Sequence, residues 1–470
     1  MEFINKIVLS FNDFLWSYIL IAMLLILGLY FSFRTKFVQF RYIKEMFRLL
    51  TDSFSKDKDK TKEKNSVSSF QAFCISTASR VGTGNLAGIA IAISYGGPGA
   101  IFWMWLIAFI GAASSFVEST LAQIYKVKDS DGSYRGGPAY YMEKALGKRW
   151  MGIIFSILIT ITFGLIFNAV QSNTISAAFS EAFGINELLM GIIITLITAL
   201  IIFGGIHRIA KVTEIIVPIM AIAYIAISLF VVITNITEIP RIIVEIVKGA
   251  FGVKQAIGGG LGAALMYGIK RGLFSNEAGM GSAPNAAATA SVSHPVKQGL
   301  IQTLGVFTDT ILICSCTAFI ILLSNTNISS KYSGIQLTQN ALSSHVGSWG
   351  SSFIAICILL FAFSSIIGNY YYVESNIEFL SEKKSYLVIY RLLVVFMVLF
   401  GSMSKIDLVW NLADVFMGLM AIINLIAIAL LGNIAFKALA DYQEQKRSGI
   451  KEPLFKASSI PELKNVDEWK

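Results

Sequence analysis

The chain has 470 residues, of which 55% are hydrophobic and only 14% are charged, and its mean hydropathy is +0.67. An ordinary soluble domain is about 25% charged, so this composition excludes a soluble globular protein and indicates an integral membrane protein. The formal net charge of +9 does not indicate a nucleic-acid partner, because its distribution along the chain follows the membrane topology described below.

Apolar windows long enough to cross a bilayer follow one another along the chain. They lie at about 14–33, 66–95, 99–125, 150–180, 188–205, 212–235, 257–284, 299–323, 350–380, 386–403 and 409–436. Stretches such as 352–367 lack the alternation of a transmembrane β-barrel. The sequence therefore predicts an all-α polytopic membrane protein with eleven spans in the lipid bilayer.

The basic residues predict the orientation of these spans. With the N-terminus outside, most of the 38 lysines and arginines fall in cytoplasmic loops and in the tail from residue 437. Such a bias is what the positive-inside rule requires, so the C-terminus is predicted to be cytoplasmic in a multi-pass protein of the cell membrane. The segment 236–251 reads as an interfacial helix on the outer side, and KDKDKTKEK (56–64) reads as a solvated linker.

Two segments, RVGTGNLAG (80–88) and RGLFSNEAG (271–279), share the pattern R-x-x-x-x-N-x-A-G. Each puts an arginine and glycines inside an apolar window, although an arginine there costs at least about 2.5–3.5 kcal/mol and glycine weakens a helix. The windows are five spans apart, so the copies are predicted to cross in opposite directions. This pattern is typical of an inverted repeat whose two broken helices bind a carboxylate and a sodium ion at mid-membrane. For Gly88 and Gly279 we favour the alternative of close helix packing.

Several longer motifs resemble one transporter family. They are GGPGAIFWMWLIAFIGA (96–112), GSYRGGPAYYM (132–142), AVQSNTIS (169–176) and KRGLFSNEAGMGSAPNAAATA (270–290). These segments are similar to those of the alanine or glycine:cation symporter family, the sodium:alanine symporters, and the resemblance extends from about 66 to 436. It implies a LeuT-like fold with two inverted five-helix repeats and one extra N-terminal helix. It also implies sodium-driven uptake of small neutral amino acids.

The resemblance divides the chain into five parts. Residues 1–65 hold the extra helix and a basic cytoplasmic linker, 66–235 the first repeat, 236–256 an extracellular interfacial segment, 257–436 the second repeat, and 437–470 a cytoplasmic tail.

The resemblance also assigns candidate binding residues. Substrate would be bound by Gly82, Thr83, Gly84 and Asn85 in the first core helix, Gln171 in the third, Phe274 and Ser275 in the sixth, and Asn369 in the eighth. Sodium would be bound by the backbone near Ala78 and Val81 and by the hydroxyls of Ser364 and Ser365. The alternatives are a helix-to-helix hydrogen bond for Gln171 and bonds from both serines to their own helix.

One residue departs from the family pattern. The family usually has Gly-Trp where this chain has Gly368-Asn369. A carboxamide in place of an indole frees volume and supplies two donors and an acceptor. We therefore predict a larger and more polar pocket that favours glutamine, and next asparagine, over alanine or glycine.

The remaining intramembrane charges admit two interpretations. We expect Glu118 and Glu277 to form structural ion pairs with Arg80 and Arg271, because a buried charge requires a partner. An unpaired Glu118, Glu277 or Asp309 would instead carry protons, which makes a proton-coupled symporter of the same fold the main alternative.

Other functional classes fit the sequence less well. A membrane-embedded transferase would need a cluster of catalytic side chains, and the isolated histidines do not form one. A channel fits two inverted broken helices less well than alternating access does. No nucleotide-binding loop appears, so neither a nucleotide nor a nucleic acid is an expected partner.

Overall fold

The computed structural model of the chain describes residues 10–56, 67–129, 132–203, 206–251, 260–324 and 334–469. These residues are mostly helical. Strands β1 (Val127–Lys128) and β2 (Tyr134–Arg135) form a small antiparallel hairpin.

The helices of the first half are α1 (Ser10–Arg34), α2 (Val38–Arg41), α3 (Ile43–Lys56), α4 (Ser69–Arg80), α5 (Gly84–Gly96), α6 (Gly99–Ile124), α7 (Pro138–Lys144), α8 (Arg149–Phe183), α9 (Glu187–Ile202), α10 (Ile206–Thr234) and α11 (Ile239–Phe251). Those of the second half are α12 (Gly260–Asn276), α13 (Ala283–Thr289), α14 (Pro295–Leu322), α15 (Ile335–Val346), α16 (Trp349–Leu380), α17 (Lys384–Ser402) and α18 (Ile406–Arg447). Short 3₁₀ turns lie at Ile236–Glu238 and Ala457–Ser459.

Eight helices of the described residues are long and apolar enough to cross a membrane, namely α1, α6, α8, the part of α10 from Lys211, α14, α16, α17 and α18. The predicted windows 66–95 and 257–284 are each divided between two shorter helices, and 188–205 contains the 16-residue α9. The protein is therefore a multi-pass helical membrane protein. The count of eleven spans and the division into two five-helix repeats stay predictions.

The first predicted break is confirmed. Helix α4 begins with a capping box in which Ser68 and Gln71 exchange hydrogen bonds between side chain and backbone. It ends at Arg80, because Val81 takes an extended conformation with φ −82° and ψ 91°. The chain becomes helical again at Gly84, so the interruption lies inside the GTG segment that the sequence singled out.

The second break lies later than predicted. Helix α12 continues through residues 271–276, which we expected to be interrupted, and the chain leaves the helix at 277–282. There Glu277, Gly279 and Gly281 all have positive φ angles of 58°, 86° and 85°. Arg80 is thus the last residue of its helix, whereas Arg271 lies inside an intact one. The shared motif does not mark equivalent points, because the residues that break the second helix follow Asn276.

Both broken helices pack in the centre of the bundle. Helices α12, α13 and α14 all contact α6, while α4 contacts α10, α14 and α16. Small residues allow the close approach: a Cβ atom at Gly268 would lie 2.3 Å from the carbonyl oxygen of Ala100. The two breaks are therefore held inside the protein and do not face lipid.

Two predicted surface segments have different outcomes. Helix α11 is amphipathic, since Ile242 and Ile246 are buried while Arg241 is exposed and forms a 2.7 Å ion pair with Glu245. The helix predicted for 236–251 is thus present, and its location at the membrane surface stays a prediction. Nearly all of the linker at 56–64 lies outside the described residues.

The segment after α18 returns to the bundle. The Phe455 N–H donates to the carbonyl of Ser293 at 2.9 Å, and the Trp469 indole donates to the carbonyl of Gln123 at 2.9 Å. The Lys126 amine lies 5.0 Å from the centre of the Trp469 ring. The tail therefore packs on the end of α6 and on the chain that follows α13.

Candidate functional site

Four oxygen atoms converge at the first break. The Ser365 hydroxyl oxygen lies 2.9 Å from the carbonyl oxygen of Ala78 and 3.4 Å from that of Val81, and the Ser364 hydroxyl lies 3.4 Å from Ala78. These are the four residues that the sequence proposed for sodium. The two serines are 286 and 287 positions away from Ala78 in sequence, so only the fold brings them together.

The break releases the two carbonyls. In a continuous helix the Ala78 carbonyl would accept from the N–H of Gly82, and the Val81 carbonyl from that of Asn85. Here the Gly82 N–H donates to the Asn85 side chain at 2.8 Å, and the Asn85 N–H donates to the Gly82 carbonyl at 3.2 Å. Both carbonyls therefore lack their helical donors and point at the serine hydroxyls.

The serine hydroxyls supply too few hydrogens for this cluster. Both also lie within hydrogen-bond distance of the Phe361 carbonyl, at 2.8 and 3.0 Å, as the alternative of bonding to their own helix predicts. Each hydroxyl carries a single hydrogen. When those hydrogens point at Phe361, four lone-pair-bearing oxygens face one another. A hard monovalent cation such as sodium fits this arrangement of neutral oxygen ligands.

The four oxygens at the first break, which we call the oxygen cluster, directly adjoin the candidate substrate residues. A Cβ atom on Gly82 would lie 2.2 Å from the Ser365 hydroxyl and 2.9 Å from Gln171 Oε1, so no larger residue fits there. Gln171 Oε1 accepts a 2.9 Å hydrogen bond from the Thr83 N–H. Gln171 does form a hydrogen bond between helices, as the alternative interpretation predicted. Its partner is the backbone of the break. The Thr83 hydroxyl has no hydrogen-bond partner among the described residues.

Helix α12 closes the other side of this region. A Cβ atom on Gly84 would lie 2.9 Å from the Phe274 ring and 3.3 Å from the Cα atom of Ser275. The Phe274 ring packs between Phe167 and Trp410, with ring centres 4.5 and 4.7 Å away. The structure thus brings the predicted residues of the two broken helices into contact, and Phe274 is the middle member of a row of three aromatic rings.

Asn369 lies beside the same break but has protein partners. Its Oδ1 lies 2.7 Å from the Ser79 hydroxyl, whose single hydrogen is shared between this oxygen and the Glu277 carboxylate, and its Nδ2 donates to Asn168 Oδ1 at 3.1 Å. Each end of the amide retains capacity for one more hydrogen bond.

Asp309 is a further buried residue of the candidate site, beyond those that the sequence assigned to substrate or sodium. Its fully buried carboxylate accepts from Asn85 at 2.7 Å, from Ser275 at 2.8 Å and from Thr310 at 2.9 Å. It thereby ties the two broken helices together. A carboxylate in an apolar span was the available signal, and we used it only for the proton-coupled alternative.

The prediction that the two glutamates form ion pairs with Arg80 and Arg271 is wrong. Among the described residues, neither Glu118 nor Glu277 forms an ion pair with Arg80 or Arg271. Glu118 accepts from the N–H groups of Gly279 and Gly281, both at 3.1 Å, and from Asn424 at 2.8 Å. Backbone donors of the break therefore satisfy Glu118.

Glu277 instead joins the two breaks. Its carboxylate accepts from Ser282 at 2.6 Å and lies 2.8 Å from the Ser79 hydroxyl, whose single hydrogen it shares with Asn369. Arg80 lies near both glutamates without direct contact, and donates to the Gln302 carbonyl at 3.3 Å. The sequence could not show this, because backbone and hydroxyl donors replace the expected guanidinium.

Arg271 has a different acidic partner from the one expected. It forms a 2.5 Å ion pair with Asp414, and Lys270 lies 3.4 Å from the same carboxylate oxygen. All three side chains are buried. Asp414 lies inside the predicted span 409–436, where a carboxylate was the available signal; its pairing with a residue 143 positions earlier depends on the fold.

The described residues contain no group of three or more histidine, cysteine, aspartate or glutamate side chains that could hold a metal ion. The oxygen cluster at the first break consists of carbonyl and hydroxyl oxygens. A transition-metal site would instead be expected to use imidazole or thiolate ligands.

Comparison with known proteins gives relatives along the whole chain. Residues 1–457 match the profile of the "Sodium:alanine symporter family". The "Probable sodium/glutamine symporter GlnT" of Bacillus subtilis (strain 168) is 58% identical, with 100% of this chain and 96% of the relative covered. "Sodium/alanine symporter AgcS" of Methanococcus maripaludis is 36% identical, with 96% of this chain and 100% of the relative covered.

A solved structure shares the fold. The crystal structure of MhsT in complex with L-phenylalanine superposes with a TM-score of 0.52 at 17% identity, and covers 80% of this chain and 96% of that one. MhsT is a transporter of the LeuT fold. At this identity the match concerns the arrangement of helices alone.

Proposed function

The chain belongs to the Sodium:alanine symporter family, a family of secondary transporters and not of enzymes, and we propose that it couples sodium entry to the uptake of a neutral amino acid. The observation that carries the proposal is the convergence of two freed carbonyls, Ala78 and Val81, with the hydroxyls of Ser364 and Ser365. Sodium would bind there as a transported ion.

The amino acid would bind next to the sodium. Its carboxylate needs the N–H groups of the break, and Gln171 Oε1 now accepts from one of them, at Thr83. We infer that Gln171 yields this donor to the substrate, while the Thr83 hydroxyl supplies a second one. Gly82, which has no side chain, is the single residue between the proposed sodium site and the proposed position of the substrate carboxylate. Binding of one ligand would thereby organise the backbone that the other requires.

We propose alternating access as the transport mechanism. The predicted repeats, 66–235 and 257–436, would move around the two breaks, with the N-terminus outside and the C-terminus in the cytoplasm. Asp309 and Glu277 support this proposal, because each carboxylate joins the two broken helices. Each sodium charge that enters across 100 mV supplies about 2.3 kcal/mol to the cycle.

We propose glutamine as the preferred substrate. Asn369 keeps a free donor and a free acceptor position after its bonds to Ser79 and Asn168. A side-chain amide of the substrate complements both. The relative that is 58% identical is named a probable sodium/glutamine symporter, which supports this choice over alanine.

Proton coupling is the second candidate. A 45% identical relative in Bacillus subtilis is named a putative "sodium/proton-dependent alanine carrier protein". The buried carboxylates of Glu118, Glu277 and Asp309 are the groups that could carry a proton here. Their hydrogen bonds to fixed donors favour a structural role, so we rank sodium first.

Uptake into proteoliposomes tests the proposal. Radiolabelled glutamine, alanine and glycine are each measured with an inward sodium gradient and with an inward proton gradient in sodium-free buffer. We expect saturable accumulation under the sodium gradient alone, with glutamine taken up best. Accumulation in sodium-free buffer would show that sodium is not the coupling ion. No accumulation of any neutral amino acid under either gradient would refute the proposed function.

A further inference from the structure

Exposed cations and exposed apolar side chains are interleaved in the segment that follows the first span. Residues 33–47, which we call the basic-aromatic surface, extend from the end of α1 through α2 into α3, on the side that we propose to face the cytoplasm. The exposed apolar residues are Phe33, Phe37, Phe40, Ile43 and Phe47, and the exposed cations are Arg34, Lys36, Arg41 and Lys44. Charge and apolar area are therefore offered together.

The backbone holds the start of this surface in a defined turn. Lys36 and Phe37 both have a φ of 54°, a conformation that residues other than glycine rarely adopt. The Phe37 N–H donates to the carbonyl of Ser32 at 2.7 Å, and the Phe37 ring lies 5.2 Å from that of Phe33. The chain leaves the axis of α1 here, with both rings still exposed.

Helix α3 carries apolar residues on a buried face and on an exposed one. Met46 is buried against the bundle, while Ile43 and Phe47, one turn apart, are exposed. The exposed ring of Phe40 in α2 lies 5.6 Å from that of Phe109 in the span α6. Apolar side chains of this kind are stabilised at the boundary between lipid headgroups and acyl chains.

The cations of the surface have neutral partners only. None of the four forms an ion pair with a described residue. Arg34 donates to Asn433 Oδ1 at 3.1 Å, and Arg41 donates to the carbonyl of Thr35 at 3.3 Å. Each guanidinium retains further N–H donors. The surface therefore keeps its positive charge for an anion from outside the protein.

The next cation of α3 is different. Arg48 lies 2.6 Å from a carboxylate oxygen of Glu45 and 2.9 Å from one of Asp52. Its charge is thus compensated within the helix. The excess positive charge of this region is confined to the residues that alternate with exposed apolar side chains.

An anionic phospholipid complements both properties. Guanidinium and ammonium groups bind phosphate oxygens through charged hydrogen bonds, and acyl chains cover exposed aromatic rings. A free phosphate ion would leave the apolar side chains uncovered. A zwitterionic phospholipid would leave the four positive charges uncompensated. The cytoplasmic leaflet is also the one that carries a negative surface potential.

We propose that the basic-aromatic surface is a binding site for an anionic phospholipid of the cytoplasmic leaflet. The four cations hold the headgroup, and the apolar side chains contact the acyl chains. The site is connected to the first broken helix, because the Phe70 N–H at the start of α4 donates to the Ser53 hydroxyl of α3 at 2.8 Å. Bound lipid fixes α3 at the membrane and thereby steadies the start of α4, so uptake rises with the anionic lipid.

Competitive lipid binding to the purified full chain tests the site. The protein in detergent is mixed with equal amounts of phosphatidylglycerol and phosphatidylcholine, and native mass spectrometry gives the ratio of the two in the species with one bound lipid. We expect phosphatidylglycerol to be enriched. Lys36→Gln and Lys44→Gln together should lower the enrichment, by about fivefold for each lysine removed. Inorganic phosphate should not displace the lipid.

The matched control removes two lysines elsewhere on the same side. Lys451→Gln and Lys464→Gln are exposed in the tail and should leave the enrichment unchanged. Equal binding of both lipids by the unaltered chain, or an equal loss in the control, would overturn the site. Displacement by phosphate would replace the lipid with a free anion. If the double variant elutes as an aggregate, K44Q alone decides, with an expected loss of about fivefold.

Uptake provides a second measurement. In proteoliposomes, adding phosphatidylglycerol to phosphatidylcholine should raise glutamine uptake by the unaltered chain and by the control, but not by the K36Q/K44Q variant. An equal rise in that variant would overturn the proposed role of the surface. This arm rests on the proposed function, whereas lipid binding in detergent needs neither substrate nor gradient. If no variant takes up an amino acid, the proposed function fails and the binding ratio still decides the site.

Discussion

Replacement of Ser365 by alanine should weaken sodium coupling far more than it weakens the fold. The variant removes the hydroxyl that lies 2.9 Å from the Ala78 carbonyl and 3.4 Å from that of Val81. Its other neighbour, the Phe361 carbonyl, is part of the same helix and needs no donor from a side chain. The structural loss is therefore small.

The magnitude follows from the charge of the bound ion. A polar contact to a charged group contributes about 1.5–3 kcal/mol. At about 1.4 kcal/mol for each tenfold change, the sodium concentration for half-maximal uptake should rise about 10- to 100-fold. Because the bound sodium organises the break for the carboxylate, the Michaelis constant for glutamine at fixed low sodium should rise in parallel.

The assay is glutamine uptake into proteoliposomes as a function of external sodium. Ser375→Ala is the matched control, because it removes another buried serine hydroxyl from α16, one that bonds to Gly136 away from the break. We expect this control to keep the sodium dependence of the unaltered chain. An S365A curve that differs less than twofold from the control would refute the sodium site.

Three further outcomes are expected. Asn369→Trp should lower glutamine uptake relative to alanine uptake, because the indole removes both the volume and the amide; an unchanged ratio measured in proteoliposomes would contradict the proposed selectivity. Glu118→Gln should lower the free energy of unfolding by about 1–3 kcal/mol, because Gly279 and Gly281 donate to different carboxylate oxygens and the NH2 group that replaces one oxygen would face a backbone N–H; denaturant titration in detergent would show a shifted midpoint. At Glu45 in α3, burial opposes ionisation, yet hydrogen bonds from Arg48 and Tyr442 hold the carboxyl pKa at about 2. Because this folded-state pKa lies below the ordinary value of about 4.5, the contact between α3 and α18 should be intact above that pH and weaken as the pH falls towards 2; the protection of residues 43–56 against hydrogen exchange, corrected for the intrinsic pH dependence of amide exchange, should fall over that interval, and E45Q should abolish the change.

Much of this architecture could be predicted from the sequence because membrane proteins obey strong local rules. Apolar stretches of spanning length locate the helices, since lipid cannot satisfy backbone polar groups. The GTG segment after Arg80 marked the first break, because glycine and threonine beside a charge are poor choices for a continuous span. Motif similarity supplied the serines of α16, which no local pattern distinguishes from serines that bond to their own helix.

The pairing of charges was decided by the tertiary structure. Arg271 and Asp414 are 143 positions apart, and the acids nearer in sequence looked like better partners. The glutamates instead accept hydrogen bonds from backbone N–H groups and serines, donors that exist only because a helix is broken. The exact place of the second break was also beyond the sequence, since Glu277 adopts a positive φ angle that only its surroundings stabilise. Local chemistry determines where a helix can form or break, whereas the partner of a buried charge depends on which distant segments pack around it.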